Sequence, residues 1–546
     1  MKAHSFALLA VFALRLPANA HPQNEHMHAP EKLGIVNFST SCADATRPQF
    51  NRAVALMHSF QFAQAIEAFR GILKEDPSCA MADWGIALSN WSNPFAAGLK
   101  SPLQLEQGLK AVDAARELKP KTPREQAYIE AVAHLFTDTA KLDQRTRILA
   151  YESAMAEVHA AYPEDDEAAI FYALAVAAAA DPADKTYERQ LKAGKILDTL
   201  YAKYPDHPGL AHYIIHAYDV PPLAARAAGA AQHYSEIAPA TSHALHMPSH
   251  TFTRMGQWQA SIDTNIASAA AAKRVHQPAE ELHASDYLVY AYLQTAQDGA
   301  ALNAVESSRE VFARFDPAVV IGGAAGPSAA YFARAAIPAR YALERHAWAE
   351  AGKLEPVPSQ FPYTDAMTWF ARGLGSAHLK DHAAAVAAID ALAQCRDQLT
   401  QKKESYWANQ VEIQRREVAA WLEFAEGQTE PGLTAMREAA AMEDKTEKNA
   451  ITPGPLAPAR ELLADMLLQS NRPAEAKKEF EQTLAKEPNR FWTLYGAAES
   501  AKLSGDPAKA REYFAQLLKV AERADTTAGR PTRPELVEAQ TALTAK

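Results

Sequence analysis

Apolar residues recur three and four positions apart along nearly the whole chain, in segments rich in alanine, and no run alternates apolar and polar residues as a half-buried strand would. Stretches such as "LGSAHLKDHAAAVAAIDALAQC", around Ala385, and "YLVYAYLQTAQDGAALNAVESSREV" read as two helical patterns joined by a short turn. "WLEFAEGQTEPGLTAMREAAAMED" turns at Gly427, and "TRMGQWQASIDTNIASAAAAKR" turns at Gly256 before a second helix. The pattern predicts an all-α chain of ten or more helical hairpins.

The C-terminal part has a period. Ala476 and Ala510 are 34 residues apart, as are Phe480 and Phe514. Near the N-terminus Ala65, Phe69 and Pro77 follow the same grammar: a small residue, an aromatic four later, a proline eight after that. This resembles the second helix of a tetratricopeptide repeat. Small residues sit where helices approach closely, the aromatic fills the space between repeats, and proline ends the helix. One repeat cannot cover its own apolar face, so the resemblance implies a right-handed solenoid of stacked antiparallel hairpins.

Interruptions suggest boundaries. Residues 47–314 form an expected N-terminal solenoid, residues 315–340 a glycine-rich connection that is a long loop or a hinge, and residues 341–546 a C-terminal set of repeats. "SNWSNPFAAGLKSP", residues 89–102, is an expected loop, and "KNAITPGPLAPARELL" an insertion that cannot continue a helix.

The N-terminus reads as a secretory signal over residues 1–20, with Lys2, the apolar run "SFALLAVFAL" and the small-residue site "ANA". The expected location is therefore exported, periplasmic or secreted. A polar leader over residues 21–46 follows, whose "HMH" is a weak candidate copper-capture arm. No later stretch approaches roughly 20 apolar residues, so no transmembrane segment is expected in the mature chain. Removing Lys2 and Arg15 takes the formal charge from −10 to −12. An acidic chain without a basic block argues against nucleic acid as a partner. Of three cysteines, Cys42 and Cys79 are the best pair for a single bridge; two free buried thiols are the alternative.

Nine of the nineteen histidines fall between His207 and His283. "HYIIHAYD" and "HALHMPSH" place His212, His216 and Asp219, then His243, His246 and His250, at spacings of three and four, so each set lies along one helical face. His212 to His243 and Asp219 to His250 are both 31 residues, which puts the two sets at matching places on successive first helices of hairpins; His283 and Asp286 begin the next. Helices packed about 8–10 Å apart can bring such rings together around one ion. These eight residues are candidate ligands for a divalent metal such as zinc or copper, with Asp219 or Asp286 as ligand or as a group orienting a ligating ring. Pro248 is expected to push Met247 into an extended conformation and to start a new helix.

The histidine segments, with "SCADATRPQFNRAVALMHSFQFAQAIEAFRGILKEDPSCAMADWGIAL" upstream, resemble a group of exported bacterial tetratricopeptide proteins. That resemblance implies a repeat fold and export, and supplies no catalytic residue. Three functions stay open. A binding scaffold would use a polar groove lined by Tyr213, Tyr218, Asn265, Tyr287 and Tyr290 for a peptide or protein partner or a small ligand. A metal-binding protein would store or sense an ion through the histidines. A metal-dependent hydrolase would add a general base, but no H-E-x-x-H, G-x-S-x-G or phosphate-binding glycine motif is present, so catalysis is the less favoured reading.

Overall fold

The computed structural model describes residues 31–319 and 322–544. The expected signal segment and the "HMH" arm lie outside those residues. From Lys32 onward the chain forms one compact unit, built of α-helices in which each packs on the next, hairpin after hairpin. The only strand pairing among the described residues is a two-residue ladder, Thr526–Thr527 with Arg530–Pro531. None of the described helices is long and apolar enough to cross a membrane.

The repeat grammar has a steric basis. Phe69 and Phe480 are fully buried, and each ring lies against a glycine sixteen residues later in the next helix. A Cβ on Gly85 would stand 2.3 Å from Phe69, and one on Gly496 would stand 2.2 Å from Phe480. The turn glycines Gly256 and Gly427 have φ of +63° and +87°, a region that disfavours other residues. Gly256 also has no room for a side chain, since its Cβ would lie 2.4 Å from the Pro488 carbonyl of a C-terminal repeat.

That contact belongs to a larger closure. The indole of Trp258 donates to the Asn489 carbonyl (2.7 Å), and Lys185 pairs with Glu447 (2.6 Å). The buried Arg490 donates to Tyr290 (2.9 Å) and pairs with Glu344 and Glu461. The C-terminal repeats are thus packed onto the middle ones, and the two expected halves form one body. Two expected boundaries shift as well. Helix Pro327–Leu343 takes up most of the glycine-rich connection, and what remains is tied down: Ala325 N donates to Glu280 (2.8 Å), and Gly322 O accepts from Ala63 N (2.9 Å). Residues 32–46 are not a loose polar leader; Leu33, Val36 and Phe38 are buried, and Cys42 is bonded to Cys79.

Candidate functional site

Four helical segments carry the site. Helix Pro208–Ala217, capped by the His207 ring, presents His212 and His216, and Asp219 follows its end. Ser242–His246 runs into Pro248–Arg254 and carries His243, His246 and His250. Trp258–Arg274 contributes Asn265, and Pro278–Gln294 contributes His283 and Tyr287. Met247 is not extended, as its place before proline led one to expect, but helical (φ −53°, ψ −36°). It is fully buried, its N–H bonds to His243 O (2.9 Å) and its carbonyl accepts from His250 N (3.1 Å). Those bonds and that packing outweigh the pre-proline preference, and keep the three histidines on one line.

The imidazoles of His212, His216, His243, His246, His250 and His283 meet in the interior, each at most 9% exposed, whereas His233 and His276 of the same stretch are exposed. The six buried rings form two triads. Ligand nitrogens of His212, His216 and His243 lie within 4.8 Å of one another, as do those of His246, His250 and His283. The triads adjoin: the His216 and His250 rings are 5.9 Å apart, and those of His243 and His246 6.0 Å.

The outer nitrogens are fixed. His212 Nδ1 donates to the carbonyl of His58 (2.6 Å), and His250 Nδ1 to Asp219 (3.0 Å). His246 Nδ1 meets Asn265 Oδ1 at 2.7 Å; the Asn265 amide is oriented by its own donation to Ser261 O (2.7 Å), so its oxygen faces the ring. His246 and His250 therefore carry their protons on Nδ1 and hold bare lone pairs on Nε2. Those two Nε2 atoms face each other at 3.1 Å. The Tyr287 hydroxyl, 3.4 Å from His250 Nε2, has a nearer acceptor in Ala450 O (3.1 Å). Burial, then the neighbouring imidazoles, hold His246 well below the usual histidine range, so a shared proton is disfavoured. In the other triad His212 and His243 also approach Nε2 to Nε2 at 3.1 Å, while His216 Nε2 and His243 Nδ1 are buried without a protein partner. Burial lowers His212 and His283 to about 3.

The two carboxylates do different work. Asp219 lies behind His250: burial would raise it, but Lys448 and Arg254 hold it well below the carboxylate range. Asp286 is turned away to a buried pair with Arg340 (2.8 Å) and is not part of the cluster. The expected groove residues are not on a groove. Tyr213, Tyr218, Asn265, Tyr287 and Tyr290 are at most 1% exposed. Tyr213 bonds to His58 Nδ1 (2.9 Å), Tyr218 to Asp198 (2.7 Å) and Tyr290 to Arg490. The C-terminal closure covers Tyr287 and Tyr290, which meet Ala450 O and Arg490, whereas Tyr213, Tyr218 and Asn265 are buried among the earlier repeats themselves.

Four contributors were not singled out from the sequence. His58, held by Glu167 and Tyr213, supplies the carbonyl that orients His212. Phe95, in a loop read only as a boundary, stacks on His216 (4.1 Å, 16°). Arg254 is four residues after His250 on the same helix, a spacing that signals a shared partner. Lys448 reaches Asp219 (3.5 Å) from far along the chain, and no local pattern points to it.

No protein-family model matches this chain, and no curated protein matches it. Among solved structures it is similar to a human IFIT1 dimer with m7Gppp-AAAA, at a TM-score of 0.36 and 11% identity, covering 88% of this chain and 96% of that one. It is also similar to Naa15/Naa10 bound to HypK-THB, at a TM-score of 0.24 and 13% identity over 90% of this chain and 71% of that one. No residue of the histidine cluster is carried over from either.

Proposed function

We propose that this protein is an exported helical-repeat protein whose buried histidine cluster binds a transition-metal ion. One observation carries the reading: the bare Nε2 atoms of His246 and His250 face each other at 3.1 Å in the interior. Two acceptors so placed repel unless a cation lies between them. Two nitrogens bound at about 2.0–2.1 Å in a tetrahedral shell stand about 3.3 Å apart. Outer nitrogens anchored on Asp219 and Asn265 are the support that ligating histidines normally have. Six imidazoles without thiolate suit zinc, copper, iron or nickel. Export is supported by residues 1–20 and by the Cys42–Cys79 bond, which persists in an oxidising compartment.

A peptide-binding groove at these residues is less well supported, because its tyrosines are buried. The test is elemental analysis of protein prepared without a histidine tag. Near-stoichiometric metal that is lost in a His246→Ala, His250→Ala variant with unchanged helical circular dichroism is the expected result. Protein that is metal-free and takes up none of zinc, copper, iron or nickel on dialysis refutes the proposal.

A further inference from the structure

We infer that the cluster is a two-ion centre, one ion on each histidine triad, and that the pair takes a small anion of two or three atoms on its open side. This rests on the metal-binding reading and goes beyond it in the number of ions and in the ligand.

Three observations carry it. The second triad repeats the design of the first. His212 Nδ1 is spent on the His58 carbonyl, so its Nε2 is bare and points at His243 Nε2. A proton on His243 Nε2 would bridge the two only by leaving His243 Nδ1 as a buried acceptor with nothing to accept, and His216 Nε2 is orphaned as well. Buried polar atoms seldom go unpaired, and the orphaned His216 Nε2 beside the bare Nε2 of His212 points to a missing partner. An ion ligated by His212, His216 and His243 satisfies His216 Nε2 and removes the repulsion at His212.

The triads also share one opening. A cavity of about 30 Å3 is bounded by His216 and His243 of one triad and His250 and His283 of the other. That is room for one or two water-sized molecules. Phe95 and Ile451 also line it, and its size excludes a bulky substrate.

Charge selects the ligand. The six ligands are neutral, and the nearest carboxylate, Asp219, is already shared by Arg254 and Lys448. Two dications would sit in a region with no anionic ligand of its own. A small anion such as hydroxide, or azide as its probe, lowers that repulsion when bound to both ions.

The test uses the full mature chain without a tag, loaded with copper(II) alone and then titrated with azide. Elemental analysis should give two copper ions per chain, electron paramagnetic resonance should show loss of the isolated-ion signal through coupling, and azide should bind once per pair. His243→Ala should lower the content from two ions to one, restore an isolated signal and abolish tight azide binding. Should that variant misfold, His216→Asn, at the rim of the cavity, is expected to weaken the same ion and azide binding at least tenfold. One ion in the parent chain, unchanged in His243→Ala but lost in His246→Ala, overturns the two-ion centre and leaves the metal-binding reading intact. Two ions with independent signals and no azide binding overturn the shared opening. Failure to bind copper overturns the two-ion centre, and the metal-binding reading falls with it only when zinc, iron and nickel are refused as well.

Discussion

Arg254 holds Asp219 at two points, through its carboxylate (Nε to Oδ1, 2.8 Å) and through its own backbone carbonyl (2.9 Å). The other carboxylate oxygen accepts from His250 Nδ1 at 3.0 Å. Asp219 thus both aims a candidate ligand and neutralises a buried guanidinium. Asp219→Asn should weaken metal binding about 10–100-fold, the usual effect of losing the group behind a ligating histidine. It should also destabilise the metal-free chain by about 3–5 kcal/mol, since Arg254 and Lys448 lose their counter-charge. Competition against a chromophoric chelator reads the first effect and urea unfolding without metal the second. A variant with parental metal affinity removes Asp219 from the site.

Gly209 occupies a helix position where any side chain must displace His58. Its Cβ would lie 2.5 Å from His58 Nδ1, and that ring is fully buried and stacked on Phe171. Gly209→Ala should therefore cost about 1–3 kcal/mol by overpacking. Gly71, inside helix Phe62–Glu75, has nothing within 4 Å of a built Cβ. Gly71→Ala should stabilise by about 0.5–1 kcal/mol through helix propensity alone. Thermal melts of the two variants should move in opposite directions; shifts of the same sign contradict the steric assignment.

The helices, their turns and the 31-residue offset of the histidines were legible because each is a short-range matter of spacing. The offset alone sets His212 opposite His243. Exposure was not legible: Tyr287 and Tyr290 have the spacing of groove residues, yet Tyr290 is covered by Arg490, which lies 200 residues away. Nor was the fate of Asp286, whose partner Arg340 comes from a segment read as a loose connection. Pairings between distant loops leave no periodic trace. The loop holding Lys448 and Ala450 looked like a plain insertion, although it closes the site over His250 and Tyr287.

The Cys42–Cys79 bond pins an extended segment to the first hairpin, where Ala43 N also donates to Asp76 (2.8 Å). The cysteines are 37 residues apart. Closing a loop of that length is worth about 4 kcal/mol in the chain-entropy account. The Cys42→Ser, Cys79→Ser double variant should lose roughly that amount in urea unfolding, and the parent should match it when dithiothreitol is present. Equal midpoints for oxidised parent and double variant would show that the bond contributes nothing.

Glu417, 1% exposed on helix Ser405–Ala425, lies close to Glu443 at the end of helix Thr429–Glu443. Burial, and then the charge of Glu443, push Glu417 well above the carboxylate range; burial raises Glu443 too. For an acid raised by folding, both states are protonated at low pH and stability is complete there. As pH rises past the ordinary carboxylate range, the unfolded chain releases a proton that the folded chain keeps. Stability then falls by about 1.4 kcal/mol per pH unit for each proton retained, until the folded group itself ionises. Urea midpoints of the parent should therefore drop from pH 5 to pH 8 relative to those of Glu417→Gln, and the variant should be the more stable of the two at pH 8. A parent-to-variant difference that stays constant across that range would falsify the assignment of Glu417 as a buried neutral acid.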